Sequence, residues 1–300
     1  MDSAPGISEV LGQWVFDPFW IVLLVAIASA YGVAFAKSRR GSSVHPRYRL
    51  VLFMVGVAFA GLATLSPIAH YSGGLLWANF TGFLLITMVA PPLMLLGAPL
   101  TLAFRISGSG KRRLLRTMYR SKIVTALTFP IVSWLLFAVA TYVWQFTSLT
   151  DEAVHNAPLR LIQQFTLLLV GFVFWTPALA ADPVRWRIPY PLRALYVFVE
   201  MTHKGLFGGM FLSMSTAMHT DFARGAPSWA PSALTDQRIS ILILWIGGNM
   251  IFLVALVGLI LRWTAYEGRN QHRTDIRLRL QREARQRRRA ALDQIFTRSV

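Results

Sequence analysis

Residues 199–219 read VEMTHKGLFGGMFLSMSTAMH, which sets Glu200, His203 and Lys204 ahead of Met210, Met214 and Met218, with His219 at the end. On a helix His203, Met210, Met214 and Met218 fall near one face, at spacings of seven, four and four. Thioether and imidazole donors without thiolate suit Cu(I), because soft sulfur selects soft metals. Methionine is equally a flexible filler of irregular packing, so the stripe reads either as a copper path or as core. His70 and His155 fall in loops on the same predicted side as His219 and can join the set. Glu200 precedes Lys204 by four residues, the favourable order for an ion pair on a helix. Cysteine is absent, which excludes thiolate ligands, cysteine nucleophiles and disulfides.

The elements that position these residues are membrane helices. The chain is 55% hydrophobic and only 14% charged, where a soluble domain carries about a quarter charged residues. Its apolar residues form seven runs, near 18–36, 50–66, 75–99, 123–144, 159–181, 194–217 and 239–261. All but four of the 30 Lys and Arg lie in alternate connections and the tail; the exceptions are Arg160, Lys204, Arg224 and Arg238. Positive-inside bias predicts a seven-transmembrane helix bundle, an all-α integral membrane protein with the N-terminus outside and the C-terminus cytoplasmic. The net charge of +17 is then topology, and no nucleic-acid partner is expected.

Three parts follow: a short extracytoplasmic N-terminus at 1–17, the seven-helix membrane domain at 18–262, and a basic, helix-prone cytoplasmic tail at 263–300 suited to anionic lipid. No basic region precedes the first apolar run, so that run reads as a retained span rather than a cleaved signal. Pro91, Pro92, Pro130 and Pro177 interrupt spans. Gly205 and Gly209 form a small-xxx-small face on the sixth. A retinal Schiff base at Lys204 is disfavoured by the lack of lysine in the seventh run, and no phosphate-binding loop or hydrolase motif points to an enzyme.

Four segments, SPIAHY (66–71), LLITMVAPPLMLLGAP (84–99), GFVFWTPAL (171–179) and TDQRISILILW (235–245), resemble the CtaG family of caa3-type cytochrome c oxidase assembly factors. The matching positions are Ser66, Pro67, Pro91, Pro92, Gly97, Pro99, Gly171, Trp175, Pro177, Asp236, Gln237 and Trp245. The resemblance implies a bacterial plasma-membrane protein that meets cytochrome c oxidase subunits and aids maturation of the oxidase copper centre, by handling copper or by protein contact. It also implies histidines in the third and fifth spans, at places that here hold Asn79, Phe83, Arg160 and Gln164. Copper binding therefore requires other ligands, drawn from His70, His155, His203, Met210, Met214, Met218 and His219. The alternatives are a metal-free membrane scaffold and a small-solute or ion transporter using Glu200, His203 and Lys204.

Overall fold

The structure, a computed structural model, describes residues 6–39, 45–183 and 185–298. Among the described residues every regular element is helical. The long helices are α1 (Pro18–Ser38), α2 (Arg47–Leu65) and α3, which runs through Leu76–Leu84, a π-helical turn Leu85–Val89 and Ala90–Leu96. Then come α4 (Pro99–Ile106), α5 (Pro130–Phe146), α6 (Leu149–His155), α7 (Ala157–Leu179) and α8 (Tyr190–Leu212). Last is α9, built from Ala233–Leu242, a π turn Ile243–Gly247 and Gly248–Arg298, with no break between the bundle and the tail. By length and composition five helices can cross a membrane, or six if the bent pair α5 and α6 is one span. The expected sixth span is α8, which is 23 residues long but is not among them. Its Glu200, His203, Lys204 and three glycines keep it from being apolar enough.

Helix α3 lies at the centre, packed by α2, α7 and α9. Pro91 and Pro92 have no N–H to return to the carbonyls one turn back. The chain answers by widening: the Ala90 N–H reaches five residues back to the Leu85 carbonyl. The neighbours close on this stretch through glycines. A Cβ at Gly171 of α7 would stand 2.6 Å from the Thr87 carbonyl and 2.8 Å from the Pro91 ring. One at Gly56 of α2 would stand 2.9 Å from the Ala90 carbonyl. The expected Gly205 and Gly209 face is not where α8 packs closely. A Cβ at Gly209 would meet nothing within 4 Å, while one at Gly208 would stand 2.9 Å from the Trp245 ring.

The helix ends are held by side chains from elsewhere in the chain. At one end of the bundle, buried Asp236 accepts from the Leu76 and Trp77 amides at 2.8 and 3.0 Å, capping α3. At the other end α3 stops at Gly97, Ala98 takes a left-handed conformation (φ 51°), and Pro99 opens α4. Buried Asp182 accepts from the Leu100 and Thr101 amides, at 3.1 and 2.7 Å. The Gly97 carbonyl in turn accepts from Tyr31 Oη at 2.7 Å and from His45 Nε2 at 3.0 Å.

Substituting Gly171 by Ala should destabilise the bundle by about 1–3 kcal/mol, the usual cost of overpacking a rigid contact. The same change at Gly209 should not lower stability; thermal unfolding of both variants in detergent checks the contrast. His45 is fully buried, and burial first, then Arg49 and Arg105, hold its pKa below the ordinary histidine value while the Gly97 bond opposes them. A depressed folded-state pKa stabilises the fold above the unfolded value, near about 6.5, and that contribution is lost as pH falls through the lower folded value. The melting temperature should therefore drop on acidification from about pH 7.5 to about pH 5, and His45→Gln should flatten that part of the profile.

Candidate functional site

The Asp236-Gln237 step that caps α3 also ties down the segment after α8. Gln237 Oε1 accepts from the Met218 amide at 2.7 Å, and its Nε2 lies 4.0 Å from the Met214 sulfur. His219 is buried against α5 and α6. Its Nε2 donates to the Gln145 carbonyl at 3.0 Å, and its Nδ1 is 3.3 Å from the Asp151 carboxylate. Asp151 carries no sequence signal beyond being an acid beside a helix start.

The predicted methionine stripe does not stay on one helix. Helix α8 ends at Leu212, so Met214 and Met218 leave the helical face that spacing assigned to them, whereas Met210 stays on it, half-exposed. Ser213, Ser215 and Thr216 supply the physical reason, since hydroxyl side chains compete for backbone bonds and loosen helices. His203 Nε2 is 2.9 Å from Tyr142 Oη, and His70 packs edge-on against Tyr71. His155 is exposed at the end of α6, and both His219 nitrogens are engaged. Among the described residues no group of three or more His, Cys, Asp or Glu is placed to hold a metal ion.

The expected Glu200–Lys204 ion pair is likewise replaced by a different arrangement. Both residues are buried on α8, but their charged groups do not meet within 4.0 Å. Glu200 has His203 Nδ1 at 3.4 Å, close enough for attraction but not aligned as a hydrogen bond. The Lys204 ammonium lies 5.5 Å above the Phe137 ring, and its stem passes Gly248, where a Cβ would sit 3.7 Å from it. Ring and carboxylate share the task of compensating a buried cation.

A different set of residues does converge. Asn79 and Phe83 of α3 and Arg160 and Gln164 of α7 line one cavity of about 30 Å³, with Gln163 and Ser72 beside them. These are the four places where the family resemblance implies histidine. The buried Trp20 indole of α1 donates to Gln164 Oε1 at 2.6 Å, and Gln163 Nε2 donates to Thr150 Oγ1 at 3.1 Å. The space suffices for one or two waters among amides. Amides, a phenyl ring and a guanidinium are not ligands for Cu(I), so these residues do not fit the metal. Trp20 was invisible as a site residue in sequence because nothing links an apolar first-span tryptophan to α7.

If Glu200 compensates Lys204 through space, Glu200→Gln alone should cost about 3–5 kcal/mol by leaving a lone buried ammonium, and Glu200→Gln with Lys204→Met should recover most of it. Chemical unfolding in detergent measures both.

A family model described as cytochrome c oxidase caa3 assembly factor (Caa3_CtaG) matches residues 29–265. An uncharacterized protein of Mycobacterium bovis and one of Mycobacterium tuberculosis are each 28% identical over 283 residues, covering 92% of this chain and 43% of their own length. An uncharacterized protein of Mycobacterium leprae is 26% identical over 285 residues with the same coverage. The chain thus spans less than half the length of these curated relatives. No solved structure matches.

Proposed function

Because this chain belongs to the Caa3_CtaG family of cytochrome c oxidase assembly factors, we propose that it assists oxidase maturation in the bacterial plasma membrane by protein contact, without a resident copper ion. One observation carries the reading: the cavity where the family resemblance implies histidines is lined by Asn79, Phe83, Arg160 and Gln164, and Trp20 holds Gln164 in place. Among the described histidines, His219 lies between Gln145 and Asp151, His203 bonds Tyr142 and His45 bonds the Gly97 carbonyl. In this reading the chain crosses the membrane seven times, α8 included, with its N-terminus outside. It is a non-catalytic chaperone whose clients are oxidase subunits. The buried Glu200, His203 and Lys204 then serve packing rather than transport, because a bundle tolerates charges at membrane depth when they face its interior and one another.

The full chain purified from copper-supplemented membranes should hold no copper above background, while still crosslinking to oxidase subunits in the membrane. Introducing Asn79→His, Phe83→His and Gln164→His together should create Cu(I) binding, since the scaffold already brings those positions to one cavity. Stoichiometric copper in the unaltered protein, lost on changing His203, Met210 and His219, would overturn the metal-free reading.

A further inference from the structure

At the end of the bundle that carries Asp182 and Arg193, an apolar groove of about 480 Å³ opens between α3, α7 and α9. Met88, Leu96, Trp175 and Val254 are among its walls, Gly258 leaves room in it, and Arg262 stands at its margin. A Cβ added at Gly258 would meet nothing within 4 Å, so the glycine keeps the space open rather than closing a contact. The fully buried Trp175 retains an indole N–H with no partner, one turn from the end of α7.

The length of the groove limits what can fill it. Met88 to Leu96 is about 12 Å of helix and Met250 to Arg262 about 18 Å, at 1.5 Å per residue. That is the depth of one leaflet, roughly half of a hydrocarbon core near 30 Å, and too short to seat a spanning partner helix along its length. An acyl chain fits it.

The charge at the mouth limits the headgroup. Arg262 has no carboxylate partner among the described residues. The charges of Arg187 and Arg262 both act on Arg193. One residue past Arg262, Trp263 joins Arg187, Arg193 and Tyr266 around a second cavity of about 630 Å³, where Glu267 supplies the opposing charge. Three guanidinium groups against one carboxylate call for an anion, and the aromatic rings suit the interface between headgroup and chain.

We propose that this groove is a binding site for one anionic phospholipid, its acyl chain lying along α3 and α9 and its phosphate on Arg262 and Arg193. The site is distinct from any diffuse attraction of the basic tail to the membrane surface, because it needs the groove as well as the charge.

The test is native mass spectrometry of the full chain, delipidated in detergent and reloaded from vesicles of phosphatidylglycerol or phosphatidylcholine with the same acyl chains. One phosphatidylglycerol should be retained in preference to phosphatidylcholine. Arg262→Gln should lower that preference about fivefold, the worth of one cation at an anionic surface. Gly258→Leu, whose Cβ would meet nothing within 4 Å, should fill the groove and abolish retention of both lipids while leaving the melting temperature of the delipidated protein unchanged. Arg238→Gln, at the opposite end of the bundle, should change nothing. Equal retention of the two lipids, undiminished retention in Gly258→Leu, or a loss in Arg238→Gln matching that in Arg262→Gln would each overturn the assignment.

Discussion

Two adjacent prolines, Pro91 and Pro92, lie inside the central helix, where lipid and protein offer no water to the carbonyls they leave unpaired. The π turn at Leu85–Val89 is the local response, and the close approach of Gly56 and Gly171 to the same stretch is the tertiary one. Because the neighbours come within contact of the α3 backbone itself, their own side chains are set at fixed depths around it. Gly171 places Trp175 one turn further along α7, stacked on Phe252 of α9. Met88, inside the π turn, meets Gly248 just after the second π turn. The two irregular turns thus face one another across the middle of the bundle, with the Lys204 stem beside them.

The ends of the bundle follow a shared logic. An α-helix leaves four amides unpaired at its start, and a carboxylate from another element both pairs them and matches the helix dipole. Asp236 does this for α3 and Asp182 for α4, each across a wide sequence separation. The Asp-Gln and Gly-x-Pro pieces of the family pattern therefore read as joints. One fixes α3 to α9 and the segment 213–220; the other fixes the α3–α4 corner to α1, through Tyr31, and to His45.

Other matched positions of the family pattern serve as joints of the same kind. The matched positions Gly97, Gly171, Trp175, Asp236 and Gln237 hold backbone or core together, and none of them lines the cavity of Asn79, Phe83, Arg160 and Gln164. Helices α3 and α7 bring those four positions to one cavity.

Much of this architecture is legible in the sequence, because lipid is an unforgiving solvent. Long apolar runs, the alternation of Lys and Arg between connections, the prolines and the ordered family motifs all carry local signals, and membrane helices and family membership follow from them. The charged α8 is the exception, since residues such as Glu200 and Lys204 make its period and length the only evidence for a span. Spacing alone, however, could not assign the Met214 and Met218 stripe, the Glu200–Lys204 contact or the Asp236 and Asp182 caps. A four-residue spacing describes a helix only while the helix lasts, and α8 ends at Leu212. The direction of a long side chain depends on what the neighbouring helix leaves open, so Lys204 turns toward Phe137 and Glu200 toward His203. Convergence of α2, α3 and α7 on one cavity, and the bond from Trp20 of α1 to Gln164 in its wall, were decided by tertiary packing, because residues some 140 apart meet only once glycine and proline have set how closely the helices approach.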